Sequence, residues 1–318
     1  MTTFDFSQNL TTSSHDLDDH INQKLSSRQA AFNSQKTYSE LMSSIMNSDR
    51  DYGNSIRAKH IRNLRLKSQL KIENNKSLSN HPNSLPIYAE LIQRRPNPSS
   101  FEEFVEKLRS SYLESQLEGL VNIRLILTLT SPPLEKVMEY NIISDLMSFL
   151  DNPYPEFVYE SLWSLTNISI GNQSQSQIIA SNQGLEKIAR VLDMNIEEVK
   201  IQAIWLLGNL GVDSKEIRNE LFTSNILRKI ISIFSTTENP KIAAQCVWTL
   251  YNLARTKPSF PEKYLLSMVG KIVKWIVTNK DNDTFLLESC SFLSFITETC
   301  KKSFNCLIDI DLLSQLLT

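Results

Sequence analysis

Ser-Leu-Trp-Ser-Leu-Thr-Asn-Ile (161–168), Ala-Ile-Trp-Leu-Leu-Gly-Asn-Leu (203–210) and Cys-Val-Trp-Thr-Leu-Tyr-Asn-Leu (246–253) share one register. Trp163, Trp205 and Trp248 are 42 and 43 residues apart, and each is followed four residues later by an asparagine: Asn167, Asn209 and Asn252. A further 43 residues reach Ser291 inside Ser-Cys-Ser-Phe-Leu-Ser-Phe-Ile (289–296), and 42 residues back from Trp163 lies Val121 inside Glu-Gly-Leu-Val-Asn-Ile-Arg-Leu (118–125). The apolar frame persists at both ends, while the Trp and Asn do not.

A period of 42 to 43 without strand signals points to a unit of two or three helices stacked into a solenoid. Within 171–211 the breaks predict a short helix over 175–180, a turn at Asn182-Gln183-Gly184, a second helix over 185–192 and a long third helix over 197–211. Three helices per unit favour the armadillo class over HEAT. Pro155 and Pro240 stand just before the predicted helices 156–169 and 241–254, where a proline costs no intrahelical donor. The expected fold is all-α: a right-handed superhelical armadillo-repeat solenoid of about four repeats plus a partial fifth.

Outward from the repeats, dense Leu, Ile, Val and Phe at helical spacing runs from Phe101 to Leu317, which sets the folded domain at 101–318. Residues 1–100 are rich in Ser, Asn and Gln and end in breakers, and they read as a mostly disordered arm with weak helix signals at 34–46 and 56–72. The arm carries 13 Lys+Arg against 9 Asp+Glu, and the remainder 20 against 26, so a basic arm precedes an acidic body. No apolar run approaches the ~20 residues of a membrane span, and Asp16, Asp18 and Asp19 stand where a signal peptide would be apolar. Cys246, Cys290, Cys300 and Cys306 lack CxxC spacing, and all four histidines lie upstream of residue 82. Neither a metal site nor a cofactor is therefore expected, and the thiols read as reduced.

Residues at i and i+4 share a helix face, so each Trp stands one turn from its Asn. An isolated Trp reads as core. A carboxamide repeated one turn along in three successive units does not, because a core position would leave it short of partners. The apolar neighbours Leu162, Leu165, Ile204, Leu207, Val247 and Leu250 already supply a packing face. The Trp–Asn row is therefore expected on an exposed surface lining the concave side. Carboxamides suit the N–H and C=O of an extended backbone, and indole faces suit aliphatic stems ending in a cation. The expected ligand is an extended Lys/Arg-rich peptide of modest affinity. Asp213, four residues past Asn209, is the candidate acid on the same stripe, with Glu288 a weaker second.

At these residues the chain resembles importin alpha, the armadillo adaptor that recognises nuclear localisation signals. Residues 161–171 resemble that family's Ala-Trp-Ala-Leu-Thr-Asn-Ile-Ala-Ser-Gly, residues 202–213 its Gln-Ala-Val-Trp-Ala-Leu-Gly-Asn-Ile-Ala-Gly-Asp, and residues 248–258 its Trp-Thr-Leu-Ser-Asn-Leu-Cys-Arg-Asn-Lys-Pro. Gln116-Leu117-Glu118 matches the start of its first repeat. The resemblance implies that Gly171, Ser176 and Asp213 hold the critical signal lysine through a carbonyl, a hydroxyl and a carboxylate. It implies lysine slots at Trp163, Trp205 and Trp248, with Asn167, Asn209, Asn252 and Gln202 contacting the peptide and Arg255 in its family place. Ser291 and Phe295 stand where the family has Trp and Tyr, and Tyr251 replaces a small Ser. The family continues to about ten repeats, which marks this chain as a short, divergent relative. The carrier-binding segment, a dense Arg/Lys helix in the family, has its nearest counterpart at 56–75, which is basic but sparse.

Two functions follow. One is a nuclear-import adaptor, cytoplasmic and nuclear, that binds signal peptides of cargo and recruits an importin-beta-type carrier through the arm, or whose arm folds into the groove. The other is a non-transporting scaffold or decoy that holds basic peptides or another partner. The arm's modest charge and lack of interleaved aromatics count against direct nucleic-acid binding. An enzyme is not expected: the repeats hold no histidine and no glycine-rich phosphate loop.

Overall fold

The computed structural model describes residues 77–95, 97–254, 260–278 and 283–299, all within one compact unit, residues 68–318. The expected arm helices and the basic segment 56–75 lie outside the described residues, as do Arg255, Cys300 and Cys306. Among the described residues there are helices and turns and no strand.

In chain order the helices are α1 (Tyr88–Leu91), α2 (Phe101–Leu108), α3 (Leu113–Leu127), α4 (Leu134–Glu139), α5 (Ile142–Ser148) and α6 (Pro155–Ser169). They continue with α7 (Gln173–Ala180), α8 (Gly184–Val191), α9 (Glu197–Asp213) and α10 (Lys215–Thr223). The last four are α11 (Ile226–Thr236), α12 (Pro240–Ala254), α13 (Glu262–Thr278) and α14 (Asp283–Thr299). The long helices α3, α6, α9, α12 and α14 pack each on the next, which is the stacking that the 42-to-43-residue register required. The fold is an armadillo-repeat solenoid.

Local chemistry explains the boundaries. Asn172 caps α7 through a reciprocal box: its Oδ1 accepts from the Gln175 N–H at 3.1 Å, and Gln175 Oε1 accepts from the Asn172 N–H at 3.0 Å. The turn before α8 passes through Asn182 and Gln183 with φ of 52° and 63°, left-handed backbone that Asn tolerates better than most residues. Asn141 makes the equivalent turn before α5 at φ 53°. At Gly184 a Cβ would stand 1.9 Å from the Ile179 carbonyl oxygen, so this position accepts only glycine. Pro155 and Pro240 are the first residues of α6 and α12.

Residues 77–95, which composition places in the arm, are folded against the repeats. Leu78, Tyr88 and Leu91 are buried, each contributing about 1.5–3 kcal/mol of apolar burial. The segment crosses the long helices in reverse order. Ser77 Oγ donates to Glu198 of α9, the Leu85 N–H donates to Glu156 of α6 at 2.7 Å, Tyr88 Oη donates to Glu160 of α6 at 2.7 Å, and Arg94 pairs with Glu118 of α3 at 2.6 Å. Its anchors are matched to acids 24 to 121 residues away, a non-local pairing that a window of local composition does not contain.

Candidate functional site

Helices α6, α9 and α12 each carry one Trp–Asn pair, and their packing brings the pairs into one row. Trp205 and Trp248 meet edge to face with centroids 6.3 Å apart. That approach requires Gly208, where a Cβ would stand 2.9 Å from Thr249 Oγ1 and 3.0 Å from Trp248 Cζ3. Asn209 Nδ2 reaches Ser169 Oγ on α6 at 3.5 Å.

The expectation of an exposed row is corrected by the burial. Trp163 is 2% and Trp205 5% exposed; Asn167, Asn209 and Asn252 are buried too, and Trp248 alone among the indoles of the row is half-buried. For Trp163 the physical cause is local. The Arg124 guanidinium covers the ring face at 4.3 Å from its centroid, and Tyr159 packs edge-on at 5.6 Å. Trp205 is covered on one side by Trp248. Gln202, expected to meet a peptide, donates instead to Thr166 Oγ1 on α6 at 2.9 Å.

The three residues expected to hold a lysine, Gly171, Ser176 and Asp213, fare differently. Ser176, fully buried on the first helix of its repeat, shares its one hydroxyl hydrogen between Asp213 Oδ2 at 3.3 Å and the Ser169 carbonyl at 3.2 Å. Asp213 and Gly171 are exposed. Arg218, itself buried, donates to the Gly211 carbonyl and to that of Val212 at 3.3 Å, closing the last turn of α9 just where Asp213 projects. The structure thus joins Ser176 to Asp213, while Gly171 stands between α6 and α7 against Gln175 and Leu134.

Glu288 on α14 is half-buried, and burial pushes its carboxyl up to about 7, so near neutral pH it is an anion only part of the time. Ser291 and Phe295 are half-buried on the same helix. Tyr251 packs against Phe292 at 5.9 Å, turning the far end of the row into an aromatic contact.

Three polar atoms in the row have no partner among the described residues: Trp163 Nε1, Trp205 Nε1 and Asn209 Oδ1. A buried group left this way costs about 1–3 kcal/mol, and native structures leave few of them. Sequence reasoning also missed Arg124, Glu160 and the strap of residues 77–94. The signal was present, since a lone Arg inside Leu-Val-Asn-Ile-Arg-Leu-Ile-Leu (120–127) must find a carboxylate or unfold the helix's surroundings.

No protein-family model matches the chain. Importin subunit alpha-1b of Oryza sativa subsp. japonica is 25% identical over 229 residues, 70% of this chain and 42% of the relative. Importin subunit alpha-5 of Arabidopsis thaliana is 27% identical over 238 residues, 73% of this chain and 45% of the relative. The probable importin subunit alpha-A of Dictyostelium discoideum is 31% identical over 155 residues, 44% of this chain and 28% of the relative. The chain spans about two fifths of the length of the first of these curated relatives. Among solved structures, a designed armadillo repeat protein in complex with the peptide (KR)4 superposes with a TM-score of 0.53 at 19% identity, covering 80% of this chain and 98% of that one. An engineered protein reaches a TM-score of 0.58 at 19% identity over 68% of this chain and 89% of that one. The chain thus has the armadillo-repeat fold and is similar in sequence to importin alpha subunits, at 25–31% identity in these three relatives.

Proposed function

We propose that the chain is a non-catalytic adaptor that binds Lys/Arg-rich peptides of the nuclear-localisation type along the row of α6, α9 and α12. The observation that carries this reading is the exposed Asp213 carboxylate at the end of α9, the helix that holds Trp205 and Asn209. Trp248, half-buried on α12, meets Trp205 edge to face on the same row. A lysine ammonium suits the Asp213 carboxylate, and the indole face of Trp248 suits the aliphatic stem of a neighbouring cation. Residues 101–318 carry 20 Lys+Arg against 26 Asp+Glu, a balance that favours cationic partners. The importin alpha relatives support the import role, a shuttling location in cytoplasm and nucleus, and a carrier bound through the arm. No described helix is long and apolar enough to cross a membrane.

A non-transporting scaffold is the second reading, favoured by the sparse basic content of 56–75. A pull-down with an importin-beta-type carrier, with and without residues 1–76, separates the two. Capture that depends on those residues supports import, and no capture by either form removes the transport role while leaving peptide binding standing.

A further inference from the structure

Four residues form a chain of contacts from the strap to the first indole. Tyr88 Oη donates to Glu160 Oε1 at 2.7 Å; Glu160 grips Arg124 at 2.6 Å through Nε and at 3.3 Å through Nη2; and the Arg124 guanidinium lies 4.3 Å from the Trp163 ring centroid. Tyr88, Glu160 and Arg124 are 2%, 0% and 1% exposed, so this is an interior arrangement and not a surface encounter. Burial, and then the adjoining Glu160 carboxylate, hold the Tyr88 phenol well above its ordinary range, which keeps it a donor. The forked guanidinium is suited both to a carboxylate and to the flat face of an indole.

We propose that Arg124 is a resident cation that fills the first aromatic station of the row, held there by Glu160 and by the strap of residues 77–94. Resting on the peptide-binding reading above, this assignment makes Arg124 a specificity-determining residue. A lysine stem that approached Trp163 would find the ring covered and a like charge already seated. The ligand footprint therefore shifts toward Asp213, exposed at the end of α9, and Trp248, half-buried on α12. The favoured ligand is an extended peptide with a compact pair of cations, and extra cations directed at Trp163 add nothing.

The test is fluorescence anisotropy of a labelled Lys-Lys-Lys-Arg peptide with the full chain and with Arg124→Ala/Glu160→Gln. This double substitution removes one charge of each sign and leaves net charge unchanged. The expected result is about tenfold tighter binding by the double variant, because a ring face is opened. Equal or weaker binding by a variant of unchanged helicity overturns the proposal and leaves peptide binding intact. Absence of binding by both proteins defeats the peptide reading itself, and the assignment with it. If the double variant does not fold, Arg124→Met/Glu160→Leu replaces the buried pair with apolar groups and removes the seated cation; about threefold tighter binding is expected, and unchanged affinity overturns the proposal.

Discussion

Ser176 Oγ donates to Asp213 Oδ2 across 3.3 Å, joining the start of one repeat's first helix to the end of its third. The bond places a hydroxyl and a carboxylate at the edge of the Trp–Asn row, and its geometry depends on how α7 begins. A Cβ at Gly171 would stand 2.0 Å from Gln175 Oε1, the atom that closes the α7 capping box. Gly171→Ala is expected to break that box, to cost about 0.5–2 kcal/mol of stability, and to weaken basic-peptide binding as Ser176 moves. Urea unfolding together with anisotropy checks both effects.

Arg124 and Glu160 form the most deeply buried ion pair among the described residues. Removing one partner leaves the other charge unpaired in the interior, so Glu160→Ala is expected to cost about 3–5 kcal/mol in equilibrium unfolding. A loss below about 1 kcal/mol would mean that the pair is solvated.

Gly208 sets the distance between α9 and α12 where Trp248 crosses. Gly208→Ala should force Thr249 and the Trp248 ring outward at a cost of about 1–3 kcal/mol. Near-ultraviolet circular dichroism should report the change in the Trp205–Trp248 contact.

The repeat frame was legible because it is periodic: three Trp–Asn pairs, prolines at helix starts and Asn-rich turns are local signals that recur. Helices α7, α8 and α9 fall within two residues of the expected breaks. The face of the row was legible only in part. Spacing placed the pairs together, but exposure depends on what covers a ring, and Arg124, the cover on Trp163, lies 39 residues upstream. The strap was illegible for the same reason, since its order comes from Glu118, Glu156, Glu160 and Glu198 on other helices.

Burial raises the Glu288 carboxyl to about 7. Its folded value stands above its unfolded one, so its contribution to stability is fully present below the unfolded pKa and is lost as pH rises through about 7. The chain should unfold at a higher temperature at pH 5.5 than at pH 8, and Glu288→Gln should flatten that difference. Calorimetry of both proteins at the two pH values checks the sign; a wild-type difference unaltered by the substitution would contradict it.

Asp213 is the exposed acid of the row, and the peptide reading stands on it most directly. Titration of a labelled Lys-Lys-Lys-Arg peptide against the wild type and Asp213→Lys measures its role, because the substitution inverts the charge offered to the key lysine. Affinity is expected to fall by more than about tenfold, with the gap narrowing as salt rises. Equal affinity for the two proteins at low salt would contradict it.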